Sequence, residues 1–189
     1  MIVLPSDFSL NRYGYYVRLV KEEDAAFIIK LRTNPKVRTY LHYTSPDIKA
    51  QREWIRNYKK RERKGKDYYF IYYHDGLPCG VNRIYNIQDD GTFTSGSLVF
   101  DDGVPSEAVV VATIIMNDIA FEVLGLSFSD CSDGVHIDNK HVIRFNQMFG
   151  FVFTGKRETE LGIFLTGGMK KDDYLSHSKR IRELYGLSV

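Results

Sequence analysis

The chain has 189 residues, enough for one domain with a substantial core and too few for two ordinary domains, so we expect residues 1–189 to form a single domain. Apolar residues make up 43% of the chain and charged residues 26%, as in globular proteins, and 13 Tyr and 12 Phe favour a packed core over disorder. The net charge of only +2 gives no general argument for nucleic acid or an acidic membrane surface as a partner.

The cysteines and the apolar segments bear on the location of the protein and on metal binding. Cys79 and Cys131 stand far apart without a metal-type spacing, which indicates small buried thiols in a reducing compartment and no metal site. The N-terminus lacks the basic start and long apolar run of a secretory signal. The apolar stretch 108–126 contains charged residues, which favours a buried helix over a membrane span. We therefore expect a cytoplasmic protein without a membrane partner, as a monomer or a homodimer.

Hydrophobic periodicity and turn residues predict the elements of the first half of the chain. They are a strand at 15–19, a helix at 22–32, a helix from a serine cap at Ser45 to about Lys64, strands at 68–74 and 79–87, and a strand at 92–100. Six basic residues between 59 and 66 fit a solvated helix end or, alternatively, a contact to phosphates.

The second half begins with a long apolar helix that Pro105 opens and Gly125 ends. A strand at 126–137, a helix at 139–149, strands at 151–156 and 162–170, and a helix at 173–185 follow. This order predicts an α/β (α+β) fold, in which helices cover both faces of a mixed sheet.

The same order resembles that of the GNAT N-acetyltransferases, and three segments support the resemblance. Asn139 to Phe151 is similar to a family segment in which an asparagine caps a helix that ends before Gly-Phe. Residues 120–126 resemble the end of the family's CoA-binding helix. Residues 31–38, with Trp54 downstream, resemble acetyltransferases that act on nucleotide-linked amino sugars in polysaccharide pathways.

The resemblance implies a GNAT fold with a mostly antiparallel central sheet and acetyl-CoA as cosubstrate. It implies a splayed pair of strands near Phe100 and Ser127, in which Leu98, Val99 and Phe100 hold the pantetheine arm and polarise the thioester. It places the pyrophosphate at the free amides of the helix start, residues 104–109. The expected CoA contacts are Leu98, Val99, Phe100, Val104, Ser106, Glu107, Ala108, Asn139 and Asn146.

The loop before that helix departs from the family pattern. The family has Arg or Gln, two residues, Gly, one residue, and then Gly or Ala, whereas this chain has Val104, Glu107 and Val109 at those positions. The missing glycines restrict the approach of backbone to phosphate, and Glu107 brings a negative charge towards it. Glu107 has an alternative role as an acid that stabilises the first helical turn.

Two side chains are candidates for proton transfer. Asn146 stands where many family members carry a tyrosine that protonates the leaving thiolate; an amide donates a hydrogen bond but supplies no proton. His136, near the end of a strand that approaches the cleft, is the candidate general base for the amine, with a structural role as the alternative. His42 and Tyr43 are weaker candidates.

Arginines suggest the kind of acceptor. Arg32, Arg38 and Arg83 are candidates for holding its phosphates, because a guanidinium presents a planar fork to oxyanions. The leading hypothesis is therefore acetyl transfer to a small-molecule amine, in particular a nucleotide-linked amino sugar. The alternatives are acetylation of a protein N-terminus and a GNAT-fold binding module with weakened catalysis.

Overall fold

Eight strands and five α-helices make up the part of the chain that the computed structural model describes, residues 2–36 and 44–187. The first half contains β1 (Ser9–Arg12), β2 (Tyr15–Leu19), a 3₁₀ turn (Glu22–Asp24), α1 (Ala25–Thr33), α2 (Ile48–Glu62), β3 (Asp67–His74), β4 (Leu77–Tyr85) and β5 (Thr92–Phe100). The second half contains α3 (Ala108–Asp118), a π-helical turn (Ile119–Val123), β6 (Phe128–His136), α4 (Lys140–Met148), β7 (Val152–Thr159), β8 (Gly162–Lys170) and α5 (Lys171–Leu184).

The eight strands form one sheet in the order β1-β2-β3-β4-β5-β6-β8-β7. Every neighbouring pair is antiparallel except β5 and β6, which run parallel. Two-residue and short turns connect most of the antiparallel neighbours, whereas the parallel pair needs a crossover, and α3 supplies it. The predicted mixed, mostly antiparallel sheet is confirmed.

Two apolar clusters cover the two faces of the sheet. One joins α3, α5 and the end of α4 to side chains such as Val17, Phe70 and Phe93, and the other joins α1 and α2 to Ile71, Val81 and their neighbours. Since successive residues of a strand point to opposite faces, β3 contributes to both clusters and reads as a continuous apolar run. Helices therefore lie on both faces, as predicted. Among the described residues, no helix has the length and apolar character that crossing a membrane requires.

The N-terminal caps refine two predicted helix starts. Asp47, not Ser45, caps α2, because its carboxylate accepts the amide N–H of Lys49 at 2.8 Å. The long apolar helix α3 starts at Ala108, not near Pro105. Residues 105–107 form a turn instead, which the bond from the Ala108 amide to the Pro105 carbonyl closes at 3.0 Å.

One strand was not predicted from the sequence. β1 pairs with β2 at the edge of the sheet, and its side chains are half-buried or exposed, so it lacks an apolar face. Leu10 alone of its four residues packs against the core cluster. Periodicity cannot identify such a strand, because backbone bonds to a neighbour, rather than burial, define it.

The buried carboxylate of Asp118 contacts side chains of both α5 and β1. Asp118, at the end of α3, is 1% exposed. Its Oδ1 accepts hydrogen bonds from the Tyr174 hydroxyl at 2.6 Å and from Arg182 Nη2 at 2.5 Å, both on α5. Arg12 of β1 lies 3.1 Å from its Oδ2. The single carboxylate thus links α3, α5 and the edge strand, and together with burial it raises the pKa of Tyr174.

We expect the substitution Asp118→Ala to lower the free energy of unfolding by about 3 kcal/mol, because it leaves the charge of Arg182 without its partner in a buried site. This loss of stability lies at the lower end of the range for breaking a buried ion pair, because Arg12 and Arg182 keep some contact with water. Urea denaturation measures it. Asp7→Ala, at an exposed turn, is the control and should change the stability by less than about 0.5 kcal/mol. Equal losses in the two variants would contradict this role for Asp118.

Candidate active site

The parallel strands β5 and β6 pair over only three positions, Thr92 to Thr94 against Phe128 to Asp130. Beyond Thr94 the two strands diverge, and the edge of β5 that faces β6 has no strand partner there among the described residues. The predicted splay therefore exists, but its position differs from the prediction. The strands are joined next to Ser127, and they open towards Phe100 and His136, at their carboxyl ends.

A bulge in β5 accompanies the opening. Val81 of β4 pairs with Val99, but Arg83 pairs with Gly96, so β5 carries one more residue than β4 in this interval. Ser97 lies in it with φ of 53°, in the left-handed region that few non-glycine residues adopt. Regular pairing with β4 resumes after the bulge, at Val99 and Phe100.

The facing strand β6 bulges at the same level. Cys131 pairs with Gly167 of β8 and Val135 pairs with Leu165, so three residues of β6 stand against Thr166 alone. Gly134 has φ of 81°, and a Cβ at this position would lie 2.7 Å from the Cβ of Phe164. Both walls of the cleft thus leave their regular ladders where they separate.

The three residues predicted to hold the pantetheine arm lie on the free edge of β5. Val99 packs into the cluster under α1 and α2, whereas Leu98 and Phe100 pack on the α3 side. The Phe100 ring lies directly over Gly80, where a Cβ would clash with it. Glycine at position 80 is therefore required for the close packing that fixes the end of β5.

The loop after β5 leads to the start of α3, which lies beside the open end of the cleft. The Ala108 amide is bonded to Pro105 and the Val111 amide to Glu107, while the amides of Val109 and Val110 have no backbone acceptor among the described residues. Free amides at a helix start attract anions. Glu107 is exposed one residue before the helix, where its carboxylate accepts a hydrogen bond from Ser106.

Two of the three predicted arginines, Arg32 and Arg83, lie near Tyr69 on the face of the sheet that α1 and α2 cover. Arg32 Nε donates to Thr44 Oγ1 at 2.7 Å, and its Nη1 donates to Ser97 Oγ at 3.3 Å, which ties α1 to the bulge of β5. Burial raises the pKa of Tyr69 to about 12, and the nearby guanidinium groups of Arg32 and Arg83 oppose the rise. The two cations therefore flank one buried hydroxyl.

Arg83 is not a free cation in the middle of its strand. Its guanidinium pairs with Asp67 through Nε at 2.7 Å and through Nη2, and Arg61 Nε bonds the same carboxylate at 2.8 Å. The ion pair with the buried Asp67 explains how the largely apolar β4 accommodates the charge of Arg83. The third predicted arginine, Arg38, lies outside the described residues, as do His42 and Tyr43.

The candidate base His136 ends β6 opposite the β7–β8 turn. Its ring packs edge-on against Phe164, with the centroids 5.2 Å apart, and its Nδ1 accepts the Asp138 amide at 3.2 Å. A Cβ on Gly162 would lie 2.6 Å from its Nε2. The side chain remains 26% exposed. Its neighbours belong to the β8 side of the cleft rather than to β5.

The two predicted asparagines belong to α4. Asn139 is its N-cap, because its Oδ1 accepts the Val142 amide at 3.3 Å. Asn146 lies half-buried near the end of the helix, where its carbonyl accepts the amides of Phe149 and Phe151. The Gly-Phe sequence that follows thus closes α4 onto Asn146.

An open groove of about 550 Å³ lies on the α1 and α2 side of β6, β8 and β7. Phe128, Asp130 and Ser132 of β6 line it, and they alternate with Ser129 and Cys131, which point to the opposite face. Its polar lining also includes Thr154 and Thr166. The groove borders the cleft and leaves room for a polar acceptor next to β6.

Sequence reasoning missed several residues of this site, among them Ser97, Tyr69 and Asp67. One signal was available, because a glycine inside a strand pattern, here Gly96, often marks a bulge. No comparable signal identifies Asp67, whose partners lie on a helix and on another strand. The described residues contain no group of three His, Cys, Asp or Glu side chains placed to hold a metal ion.

Among three comparisons with known proteins, only the comparison with solved structures found similar proteins. A scan of protein families and a search of curated proteins found no match. The apo structure of FdhC, described as a nucleotide-linked sugar GNAT, is 32% identical in sequence, with a TM-score of 0.78. The match covers 93% of this chain and 97% of FdhC.

More distant structures share the fold. The ribosomal-protein-S5-alanine acetyltransferase from Vibrio fischeri is 16% identical over 89% of this chain and 99% of its own, with a TM-score of 0.74. The spermidine N-acetyltransferase from Vibrio cholerae, in complex with CoA and spermine, is 17% identical over 86% of this chain and 98% of its own, with a TM-score of 0.70.

Proposed function

The chain belongs to the GNAT family of acetyltransferases, and we propose that it transfers an acetyl group from acetyl-CoA to the amine of a nucleotide-linked amino sugar. The observation that carries the proposal is the cleft between β5 and β6, whose free strand edge leads directly to the free amides at the start of α3. The likeness to a nucleotide-linked sugar GNAT over nearly the whole chain supports the acceptor class.

The residues of the cleft fit acetyl-CoA. The free edge of β5 from Gly96 to Phe100 offers backbone groups to the amides of the pantetheine arm, in the manner of a missing strand. The amides of Val109 and Val110 suit the pyrophosphate. In the reaction, the acceptor nitrogen bonds the acetyl carbon, the carbon–sulfur bond breaks, and the amine loses one proton while the CoA thiolate gains one.

This chain's own groups would handle those protons and charges. We assign to the β5 amides near Val99 the polarisation of the thioester carbonyl. Asn146 would donate a hydrogen bond to the leaving thiolate, and water would then protonate it. His136 would take the proton from the amine at Nδ1, directly or through water, in place of its hydrogen bond from the Asp138 amide.

Arg32 supports the acceptor side of the proposal. It lies next to the bulge of β5 and is held there by Ser97 and Thr44, so a phosphorylated acceptor that enters the cleft meets a fixed cation. An arginine beside the cleft suits a nucleotide-linked sugar better than a polyamine with several positive charges, because like charges repel.

A panel of amines tests the proposed function, with release of the CoA thiol as the measurement. We expect nucleotide-linked amino sugars to be acetylated with a kcat/KM at least about tenfold above that of an N-terminal peptide amine or spermidine, a difference of about 1.4 kcal/mol. Preference for the peptide or the polyamine would overturn the acceptor class. Failure of acetyl-CoA to bind at millimolar concentration in calorimetry would overturn the enzymatic function and favour a binding module.

Glu107 gives a prediction about the cosubstrate. Its carboxylate lies just before the helix start where the pyrophosphate would bind, so the substitution Glu107→Gln should tighten acetyl-CoA binding about threefold at low salt. Calorimetry measures the affinity. Glu122→Gln, at the opposite end of the same helical segment, is the control and should leave it unchanged. Weaker binding by the Glu107→Gln variant would show that the carboxylate helps to hold the cosubstrate.

His136 gives a prediction about proton transfer. The substitution His136→Gln should lower kcat/KM for the amine about 100-fold at neutral pH, because a neutral amide accepts no proton from the acceptor. The loss should shrink at high pH, where more of the amine is already deprotonated. His141→Gln, exposed on α4, is the control and should retain activity. A His136→Gln variant with wild-type rates across neutral and alkaline pH would assign the histidine a structural role.

A further inference from the structure

A small basic pocket opens at the end of α2, on the face of the sheet that α1 and α2 cover. Its volume is about 280 Å³, and Arg61, Lys66 and Arg83 contribute its cations. Asp67 lies at its base, and residues 86–88 complete its wall. We call it the Arg61–Arg83 pocket. It draws on the basic run at the end of α2, to which the function described above assigns no role.

The pocket keeps a positive charge after its internal ion pairs are counted. Asp67 is 1% exposed and bonds both guanidinium groups, so one carboxylate offsets two arginines. Lys66 pairs at 2.6 Å with Asp89, but that carboxylate is 91% exposed and well solvated. An excess cation in a recess attracts an anion from solution.

The arginines also keep donors for a ligand. Arg83 uses Nε and Nη2 on Asp67, which leaves its Nη1. Arg61 uses Nε on Asp67 and Nη1 on the Asn57 carbonyl, which leaves its Nη2. Two guanidinium groups that share a buried carboxylate are held in place before a ligand arrives, which reduces the ordering cost of binding.

Aromatic rings hold the same groups from the sides. The Arg83 guanidinium lies between Tyr85, 4.7 Å from the ring centroid, and Trp54, at 5.2 Å. Arg61 lies 5.9 Å from the Trp54 ring. Trp54 is 37% exposed, and its ring lies beside both guanidinium groups at the surface.

The position of the pocket relative to the cleft suits a diphosphate. Arg83 pairs with Gly96, the residue before the bulge at Ser97, and β4 ends only two residues later. At about 3.3 Å per strand residue, the end of β4 at Tyr85 lies roughly 7 Å beyond Arg83. An acceptor with its amine in the cleft and one sugar ring towards β4 would therefore carry its phosphates into this pocket.

We propose that the Arg61–Arg83 pocket binds the diphosphate of the nucleotide-linked acceptor. The inference rests on the proposed function for the identity of the acceptor, whereas the anion affinity of the pocket follows from its own residues. Arg61 is the residue that distinguishes ligand binding from a structural ion pair, because it is 45% exposed at a helix end and Arg83 satisfies Asp67 without it.

The test compares Arg61→Gln with Arg63→Gln, which removes an equal charge from the same helix end outside the pocket. Calorimetry measures the binding of uridine diphosphate, thymidine diphosphate and the two nucleosides to the whole protein. We expect Arg61→Gln to weaken diphosphate binding about tenfold and Arg63→Gln to change it less than about twofold. Neither substitution should change the affinity for acetyl-CoA.

Two further measurements complete the experiment. Arg61→Lys keeps the charge without the fork and should retain part of the affinity. Urea denaturation establishes that each variant is folded. The pocket is not the site if the wild type binds neither diphosphate, if Arg61→Gln binds as tightly as the wild type, or if Arg63→Gln loses as much.

The diphosphate-binding experiment and the panel of amines test the two proposals separately. Diphosphate binding requires no acetyl transfer, so a preference for peptide amines would overturn the proposed acceptor while weaker binding by Arg61→Gln would still support an anion site. Conversely, an Arg61→Gln variant that acetylates a nucleotide-linked sugar with unchanged KM would overturn the pocket alone. An increase of KM with little change of kcat is the expected result, because the phosphates bind alike before and during the reaction.

Discussion

The interrupted pairing of β5 and β6 is the constraint from which the rest of the site follows. Parallel neighbours in a sheet normally satisfy each other's backbone groups, and here they do so over three positions only. The unpaired groups that remain are costly to bury without a partner, so the cleft has to stay open to water or to a ligand. Both strands carry a bulge at this level, where the pairing of β5 with β4 and of β6 with β8 shifts register.

Helix α1 braces the open strand from one side. Arg32 bonds the bulge at Ser97, while Lys30 pairs with Asp101 and Lys36 pairs with Asp102 just after the strand. Exposed ion pairs contribute about 0–1 kcal/mol each, so the pairs at Lys30 and Lys36 add little stability. They connect α1 and the turn after it to the loop that carries the chain from the end of β5 to the start of α3.

The sequence predicted the fold well and the site in part, for physical reasons that differ between residues. β3 was recognisable because both of its faces are buried, and the two ends of α4 because Asn139 at its start and Gly150 after its end are strong local signals. β1 was not recognisable, because backbone pairing with β2, and not a buried apolar face, defines it. Asp67 could not be assigned either, because its role depends on Arg61 and Arg83, which the fold brings together from a helix and a strand.

The two sides of the cleft differ in how they would treat an anion. On the α3 side the chain lacks the loop glycines of its family and places the exposed carboxylate of Glu107 before the helix start. On the α2 side a buried aspartate and two aromatic rings hold two arginines in fixed positions. Fixed positive charge is thus concentrated at the pocket proposed for the acceptor's phosphates. In the proposed function, the energy of binding these phosphates accelerates the reaction only to the extent that it positions the amine against the thioester.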